Sequence, residues 1–388
     1  MKKFKIAIIC GEESGDQLGA DLINALRKEQ GYTVDLIGVG GQHLENLGLK
    51  SYFPMEDIAL MGIGAILKKL PLLLKHIKDI VKFFATQKPD CLLIIDSQEF
   101  THRVAQKLKK ICPNIPIIQY VAPSVWAWRE ERAQKMTAYI DHVFLIFPFE
   151  LEVMKRLNGP ESTYLGHRLM SYPLLLQAKS QRKDEKSFSE NKTLLLLPGS
   201  RRFEIDNLLP IFLEALEHLK KANPNLQVIL PTLPRLKEKV KGMCKDCAYE
   251  IKIVDSEEAK WDSFAVADAA LAASGTVSLE LALCHIPMIL AYKADFFSRI
   301  FIQKRIKIWS AALPNIITDK PIVPEFFNEF VRPVMLAKQV NYLLHNKDAI
   351  NAQHNGFLDL ETKMKTEAAA GTVGAKKIIE VIEKNKSL

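Results

Sequence analysis

Leu194-Leu-Leu-Leu-Pro198-Gly199-Ser200-Arg201-Arg202-Phe203-Glu204 decides how this chain is read. A fully apolar run of this kind suits a central parallel strand buried on both faces. Pro198 and Gly199 end it, and an acid-bearing, helix-like segment follows. A small-residue turn between such a strand and a helix leaves backbone N–H groups free at a helix N-terminus, where an anion is favoured. Arg201 adds a charged, bidentate donor for phosphate. The turn lies halfway along 388 residues, a length that suggests two domains, so it is expected to open the second of them.

Outward from that turn, strand-like and helix-like segments alternate in both directions. Before it, strands are expected at Phe4–Cys10, Thr33–Val39, Cys91–Asp96, Ile115–Val121, His142–Ile146 and Thr163–Leu165. Helices are expected at Gly15–Glu29, Phe100–Ile111, Glu130–Tyr139 and Phe149–Leu157. A polar stretch, Gln177–Lys192, reads as linker or surface excursion. After it the strands are Thr193–Leu197, Gln227–Leu230, Ile251–Val254, Ala269–Ala272 and Met288–Ala291, with a helix starting or kinking at Pro210. The tail carries helical segments near Val334–His345 and Thr372–Lys384. This alternation predicts an α/β protein of two doubly wound parallel-sheet domains facing a cleft, with ligands beyond the carboxyl ends of the strands.

The composition, 48% hydrophobic and 25% charged, is that of an ordinary globular protein. A formal net charge of +8 favours acidic partners: phosphates, an anionic membrane face or nucleic acid. Cys10, Cys91 and Cys284 lie in or beside apolar runs, as buried thiols do. Cys244 and Cys247 form one C-x-x-C with no second pair, which argues against structural zinc and for a reduced, cytosolic chain. The apolar run after Lys2 and Lys3 is short and reads as a strand rather than a secretion signal. No uncharged segment reaches the length of a membrane span, so membrane contact is expected to be peripheral.

Four segments could carry chemistry. Gly11-Glu12-Glu13-Ser14-Gly15-Asp16 follows the first strand and opens the first helix, but it is not a dinucleotide fingerprint, so NAD and FAD are disfavoured. Its carboxylates suit sugar hydroxyls or a general base; capping without chemistry fits equally. Asp96 ends a buried strand, where a base is often found, and where a helix cap is as natural. Tyr120–Arg129 places Trp126 and Trp128 in a loop, as a platform for a sugar or acyl chain or as core anchors. Ser274-Gly275-Thr276 is a second small-residue turn opening a helix, suited to a diphosphate, and Glu280 one turn on could hold ribose hydroxyls. No Asp-x-Asp triplet occurs, which favours metal-free handling of a diphosphate by Arg201 and helix N-termini. Two further stretches, Pro71–Phe84 and Phe296–Trp309, combine apolar and basic residues as interfacial helices do, and just upstream of the first Leu60–Leu67 is unusually apolar for a loop, with Lys68-Lys69 after it; a packed helix with a solvated lysine face explains Pro71–Phe84 on its own.

Taken in order, Gly11–Asp16, Met61-Gly62-Ile63, Ile95-Asp96, Pro123-Ser-Val-Trp-Ala-Trp-Arg129, Phe147-Pro-Phe-Glu150, Gly166-His167, Pro198–Arg201 with Glu204, Ala273–Thr276 with Glu280, and Leu313-Pro-Asn315 resemble the lipid-A-disaccharide synthase family, glycosyltransferases of the GT-B fold. The resemblance runs from about Lys5 into the C-terminal helices, and the Pro-Ser-Val-Trp-Ala-Trp-Arg block is its most specific part. It implies an inverting, metal-independent transfer from UDP-diacylglucosamine to the 6-hydroxyl of diacylglucosamine 1-phosphate, with no cofactor. It implies Asp96 as general base and Arg201, with Ser200 and the amides of Ser274, Gly275 and Thr276, on the departing diphosphate. Glu280 would hold the ribose and Asn315 the donor, while Glu13, Ser14 and Asp16 would line the cleft near the sugar. Met61, Ile63, Ile66, Lys68, Lys69, Phe297, Phe301, Arg305 and Trp309 would meet acyl chains and the inner-membrane surface.

The implied domains are residues 1–176 with a returning helix at about 372–388, facing acceptor and membrane, and 190–371, binding the UDP-sugar. A homodimer exchanging those last helices is equally compatible. The implied location is cytoplasmic and peripheral to the inner membrane, with no nucleic-acid partner. One departure stands out: Ser97-Gln98-Glu99-Phe100 follows Asp96 where Ala-Pro-Asp-Phe is the commoner pattern, which makes Glu99 a rival base. The alternatives are another UDP-sugar enzyme of the same fold, such as a peptidoglycan-precursor transferase or a UDP-N-acetylglucosamine epimerase, and a non-catalytic basic adaptor.

Overall fold

The computed structural model describes residues 2–58, 63–182, 191–294 and 308–387, with the side chains of 63–68 left aside. The chain divides into two compact units, Met1–Arg168 with Thr366–Leu388, and Leu169–Lys365.

The first unit is a six-stranded parallel sheet in the order β2-β1-β3-β4-β5-β6. Its strands are β1 (Lys2–Cys10), β2 (Tyr32–Val39), β3 (Cys91–Ile95), β4 (Ile117–Tyr120), β5 (His142–Leu145) and β6 (Ser162–Tyr164). β3 is wholly buried because helices cover both faces. One face packs Ile77, Ile80, Val81 and Phe84 of the helix Ile63–Gln87 against Phe100, Val104 and Leu108 of the helix Gln98–Ile111. The other packs Leu22, Ile23 and Leu26 of the helix Glu13–Lys28 with Ala375, Ile378 and Ile382 of the last helix, Ala370–Lys386. That last helix is also tied down by ion pairs from Lys2 to Glu383 and from Lys386 to Asp90.

The second unit repeats the plan in the order β12-β11-β10-β7-β8-β9. Its strands are β7 (Thr193–Leu197), β8 (Gln227–Pro231), β9 (Ile251–Val254), β10 (Ala269–Ala273), β11 (Met288–Tyr292) and β12 (Glu325–Phe327). The Leu194–Leu197 run is buried throughout, and each leucine so buried contributes roughly 1.5–3 kcal/mol.

Several expectations change in detail. Pro210 neither starts nor breaks a helix but sits inside Arg202–Leu219, on its solvent side, where the carbonyl it leaves unpaired can meet water. The segment 63–67, read as an apolar loop, belongs to the helix Ile63–Gln87. The polar linker begins as the helix Pro173–Gln181, and 183–190 lie outside the described residues. β12 and the helix Lys347–Met364 went unread in the sequence, the strand because three half-buried residues carry no periodicity.

Candidate active site

In the first unit, the carboxyl ends of β1 and β3 lie side by side, with Cys10 opposite Ile95. The loop after β1 therefore meets the turn after β3. Gly15 sits so close that a Cβ there would lie 2.2 Å from Asp96 Oδ2, and only glycine leaves room for the carboxylate. Asp96 and Ser97 are both left-handed, with φ of 58° and 39°, a costly backbone for residues that carry a Cβ. Thr101 Oγ1 donates to the Asp96 carbonyl at 2.9 Å and helps to hold the turn. Asp96 Oδ2 is buried and has no hydrogen-bond partner among the described residues. Burial, with the Glu12 charge adding to it, pushes the Asp96 carboxyl up to about 6. A bare carboxylate with that affinity for protons can take up or release one near neutrality.

Glu99, the rival base, is set differently. Burial would raise its pKa, but the hydrogen bond from Arg132 and the charges of Arg132, Arg129 and Arg103 outweigh it and hold the carboxylate low. An ion-paired carboxylate is the poorer base of the two. Glu13 and Ser14 are exposed at the start of their helix. Asp16 departs from its reading as a cleft residue. It is 1% exposed and accepts from the amides of Gly41 at 2.7 Å and His43 at 2.8 Å, so both its oxygens are engaged within the fold. Trp126 donates from Nε1 to Glu150 Oε1, while Ile146 and Phe147 amides donate to Glu150 Oε2. Burial nevertheless pushes Glu150 up to about 7 against those three hydrogen bonds.

In the second unit, β7 and β10 are neighbours, with Leu197 opposite Ala272. The Pro198–Arg201 and Ser274–Thr276 turns thus end adjacent parallel strands. The amides of the first turn differ from the open cradle anticipated. Glu204 Oε2 accepts from Ser200 N at 2.9 Å and Arg201 N at 3.1 Å, and Gly199 takes φ of 117° to let the carboxylate in. The anion that would use this turn is therefore met chiefly by the Arg201 side chain, which is 62% exposed and only 3.7 Å from Glu204. Arg235 joins it, donating to the Ser200 carbonyl at 3.3 Å. No sequence signal marked Arg235, which follows β8 in a short turn of helix; its place next to β7 comes from sheet order alone.

The second turn commits the Ser274 amide, expected to be free, to the Ala291 carbonyl at 3.0 Å and leaves the amides that follow without a side-chain cap. Gly275 begins the helix Thr276–Leu283, which has no side-chain cap. Ser274 Oγ donates to the Ala311 carbonyl at 3.1 Å. Glu280 is largely buried, with Lys260 Nζ 2.6 Å from Oε2, so its carboxylate carries a counter-ion already. Asn315 departs from its reading as a donor contact. At 1% exposure, its amide donates to Val323 O and Glu325 Oε2 and accepts from Val323 N. Glu325 in turn accepts from Ser310 and from the Ala311 amide. Asn315 therefore braces the segment that touches Ser274 rather than offering its own side chain.

Of the membrane-facing candidates, Met61, Phe297, Phe301 and Arg305 lie outside the described residues, as do the side chains of Ile63, Ile66 and Lys68. Lys69 is ion-paired with Asp57 at 3.1 Å, and Trp309 is exposed with Nε1 donating to Asp319. Among the described residues no helix is long and apolar enough to cross a membrane, and no three His, Cys, Asp or Glu side chains converge as a metal-ligand set.

Two parallel six-stranded α/β units, each with a charged turn where its strands end, give the protein a GT-B-like fold. Solved structures agree on the fold. The S. aureus MnaA–UDP co-structure matches with a TM-score of 0.61 at 14% identity, over 100% of this chain and 98% of that one. Acinetobacter baumannii MurG matches with 0.56 at 13%, over 99% and 100%. The chain belongs to the lipid-A-disaccharide synthase family: the family model described as Lipid-A-disaccharide synthetase matches residues 6–379. Lipid-A-disaccharide synthase of Nitrobacter winogradskyi is 39% identical over 384 residues, 99% of this chain and 97% of that protein. That of Rhodopseudomonas palustris (strain HaA2) is 40% identical over 367 residues, 94% and 92% respectively. The protein is thus a glycosyltransferase of lipid A biosynthesis.

Proposed function

We propose that the protein joins UDP-2,3-diacylglucosamine to 2,3-diacylglucosamine 1-phosphate, with inversion at the anomeric carbon and without a divalent metal. The acceptor 6-hydroxyl attacks the anomeric carbon of the donor as the bond to the diphosphate oxygen breaks. Its proton passes to Asp96, and UDP leaves. Arg201 and the amides that open the helix Thr276–Leu283 stabilise the negative charge growing on the diphosphate. The first unit takes the acceptor and the second takes the UDP-sugar. The basic stretches around residues 61–69 and 296–309 hold the enzyme at an anionic inner-membrane face.

One observation carries the reading: a buried, partnerless carboxylate oxygen at the end of β3, with a proton affinity raised to about 6. The test mixes purified protein with both diacyl sugars and EDTA, and follows UDP release and the anomeric configuration of the disaccharide. A β-linked product formed at an EDTA-independent rate is expected. An α-linked product would remove inversion, and a rate abolished by EDTA and restored by magnesium would remove metal independence.

A further inference from the structure

A second charged group, Glu99, opens the helix that follows Asp96, and nothing in the transfer step uses it. β4 lies next to β3, with Tyr120 opposite Ile95, so the segment that leaves β4 returns over the start of the helix Gln98–Ile111. It brings two guanidiniums to one carboxylate. Arg132 donates from Nη2 to Glu99 Oε1, and Arg129 Nη1 stands 3.8 Å from the same oxygen. That second distance is too long for a hydrogen bond. Arg129 is held instead by Trp128, its guanidinium carbon 4.2 Å from the ring centroid, with that of Arg132 at 5.8 Å.

The charges do not balance here. Arg103 also faces Glu99, so three guanidiniums act on one ionised carboxylate. The next acid along, Glu130, is paired with Arg156 at 3.5 Å, and Glu131 makes no ion pair with Arg129 or Arg132 among the described residues. Pinning the segment to the helix would need one arginine. The other is preorganised on an aromatic face, with φ of 53°, and most of its five N–H donors are unassigned.

We propose that Arg129 and Arg132 form the subsite for the phosphate monoester of the acceptor sugar. The proposal rests on the acceptor reading given above for Asp96. Glu99 follows Asp96 by three residues, across the left-handed turn that opens the helix Gln98–Ile111, and its carboxylate meets the arginines. An acceptor whose hydroxyl reaches Asp96 would extend its phosphate towards the guanidiniums that the next segment brings to Glu99. A phosphate dianion takes up the surplus positive charge, with Arg129 supplying the donors that Glu99 does not engage.

The test compares two acceptors, diacylglucosamine 1-phosphate and the same sugar without the phosphate, on wild-type protein, Arg129→Gln and Arg132→Gln. The readout is the ratio of kcat/KM between them. In wild type the phosphorylated acceptor is expected to be preferred, and each substitution should shrink that preference by roughly tenfold or more while sparing the bare sugar. Thermal melting establishes that each variant is folded. An unchanged preference in both variants, or an equal loss on both acceptors in protein that melts normally, overturns the proposal. Asp96→Asn is run beside them and should lower both acceptors alike. Its persistence at wild-type rate would remove the base assignment and leave the arginine ratio to be read separately.

Discussion

The turn after β3 and the turn after β7 are built on the same plan and present opposite charges. Each follows a fully buried parallel strand and opens a helix. The first ends on a carboxylate that is buried, has a partnerless oxygen and rests on two left-handed residues. The second ends on a guanidinium that is mostly exposed, over amides already capped by Glu204. In the first, strain and desolvation are concentrated on one titratable group, which raises its proton affinity. In the second, the backbone is satisfied and a permanent charge is left facing water. A strand end in this architecture is therefore not a site by itself; which groups the next turn leaves unsatisfied decides between proton chemistry and anion binding.

The largest effect expected from this contrast is on turnover. Asp96→Asn should lower kcat by about 10²–10⁴, the range for loss of a general base. In wild type, kcat/KM should climb with pH up to about 6 and then level off, and that profile should vanish in the variant. Near-normal turnover in Asp96→Asn would erase the difference drawn between the two turns. Next comes Arg201→Ala, expected to lower kcat by about 10² if its charge meets the departing diphosphate. Its melting temperature should stay close to wild type, because an exposed ion pair such as Arg201–Glu204 contributes little to stability. A variant that melts early but turns over normally would reverse that assignment.

Stability sharpens the comparison from the other side. The Asp96 pKa is raised in the folded state from 3.8 to about 6, so the folded protein binds the proton more tightly than the unfolded chain. The protonated form supports the fold, and that support is lost as pH rises from about 4 through about 6. Asp96→Asn should therefore be more stable than wild type at pH 7 to 8, by at most ~3 kcal/mol, with the gain fading towards pH 4. Chemical denaturation at both ends of that range would measure it, and a variant less stable than wild type at pH 8 would contradict it. The demands of proton transfer and of stability would then be opposed at Asp96. The smallest effect belongs to Glu204→Ala, which should cost about 1 kcal/mol through loss of the cap on the Arg202–Leu219 helix. UDP affinity, by calorimetry, should hold or improve as two amides are released. A marked loss of affinity would mean that Glu204 orders Arg201 for its ligand.

The sequence by itself determined every strand but the short β12, their parallel class and the two turns, because burial on both faces demands an unbroken apolar run and a turn demands small residues. It marked Asp96 and Arg201 for the same reason, since each directly follows such a strand or turn. Only the tertiary structure decided what each polar group was free to do. Asp16 looked like a cleft residue until the amides of Gly41 and His43, far along the chain, closed on it. Asn315 looked like a ligand contact until Val323 and Glu325 engaged its amide. Arg235 carried no signal, and Arg129, quoted only for its place in the Trp-Ala-Trp-Arg block, gave no hint of Glu99. Apolar periodicity is a local property that survives in a string of letters, whereas hydrogen-bond partners and desolvation are set by which distant segments the sheet order brings side by side.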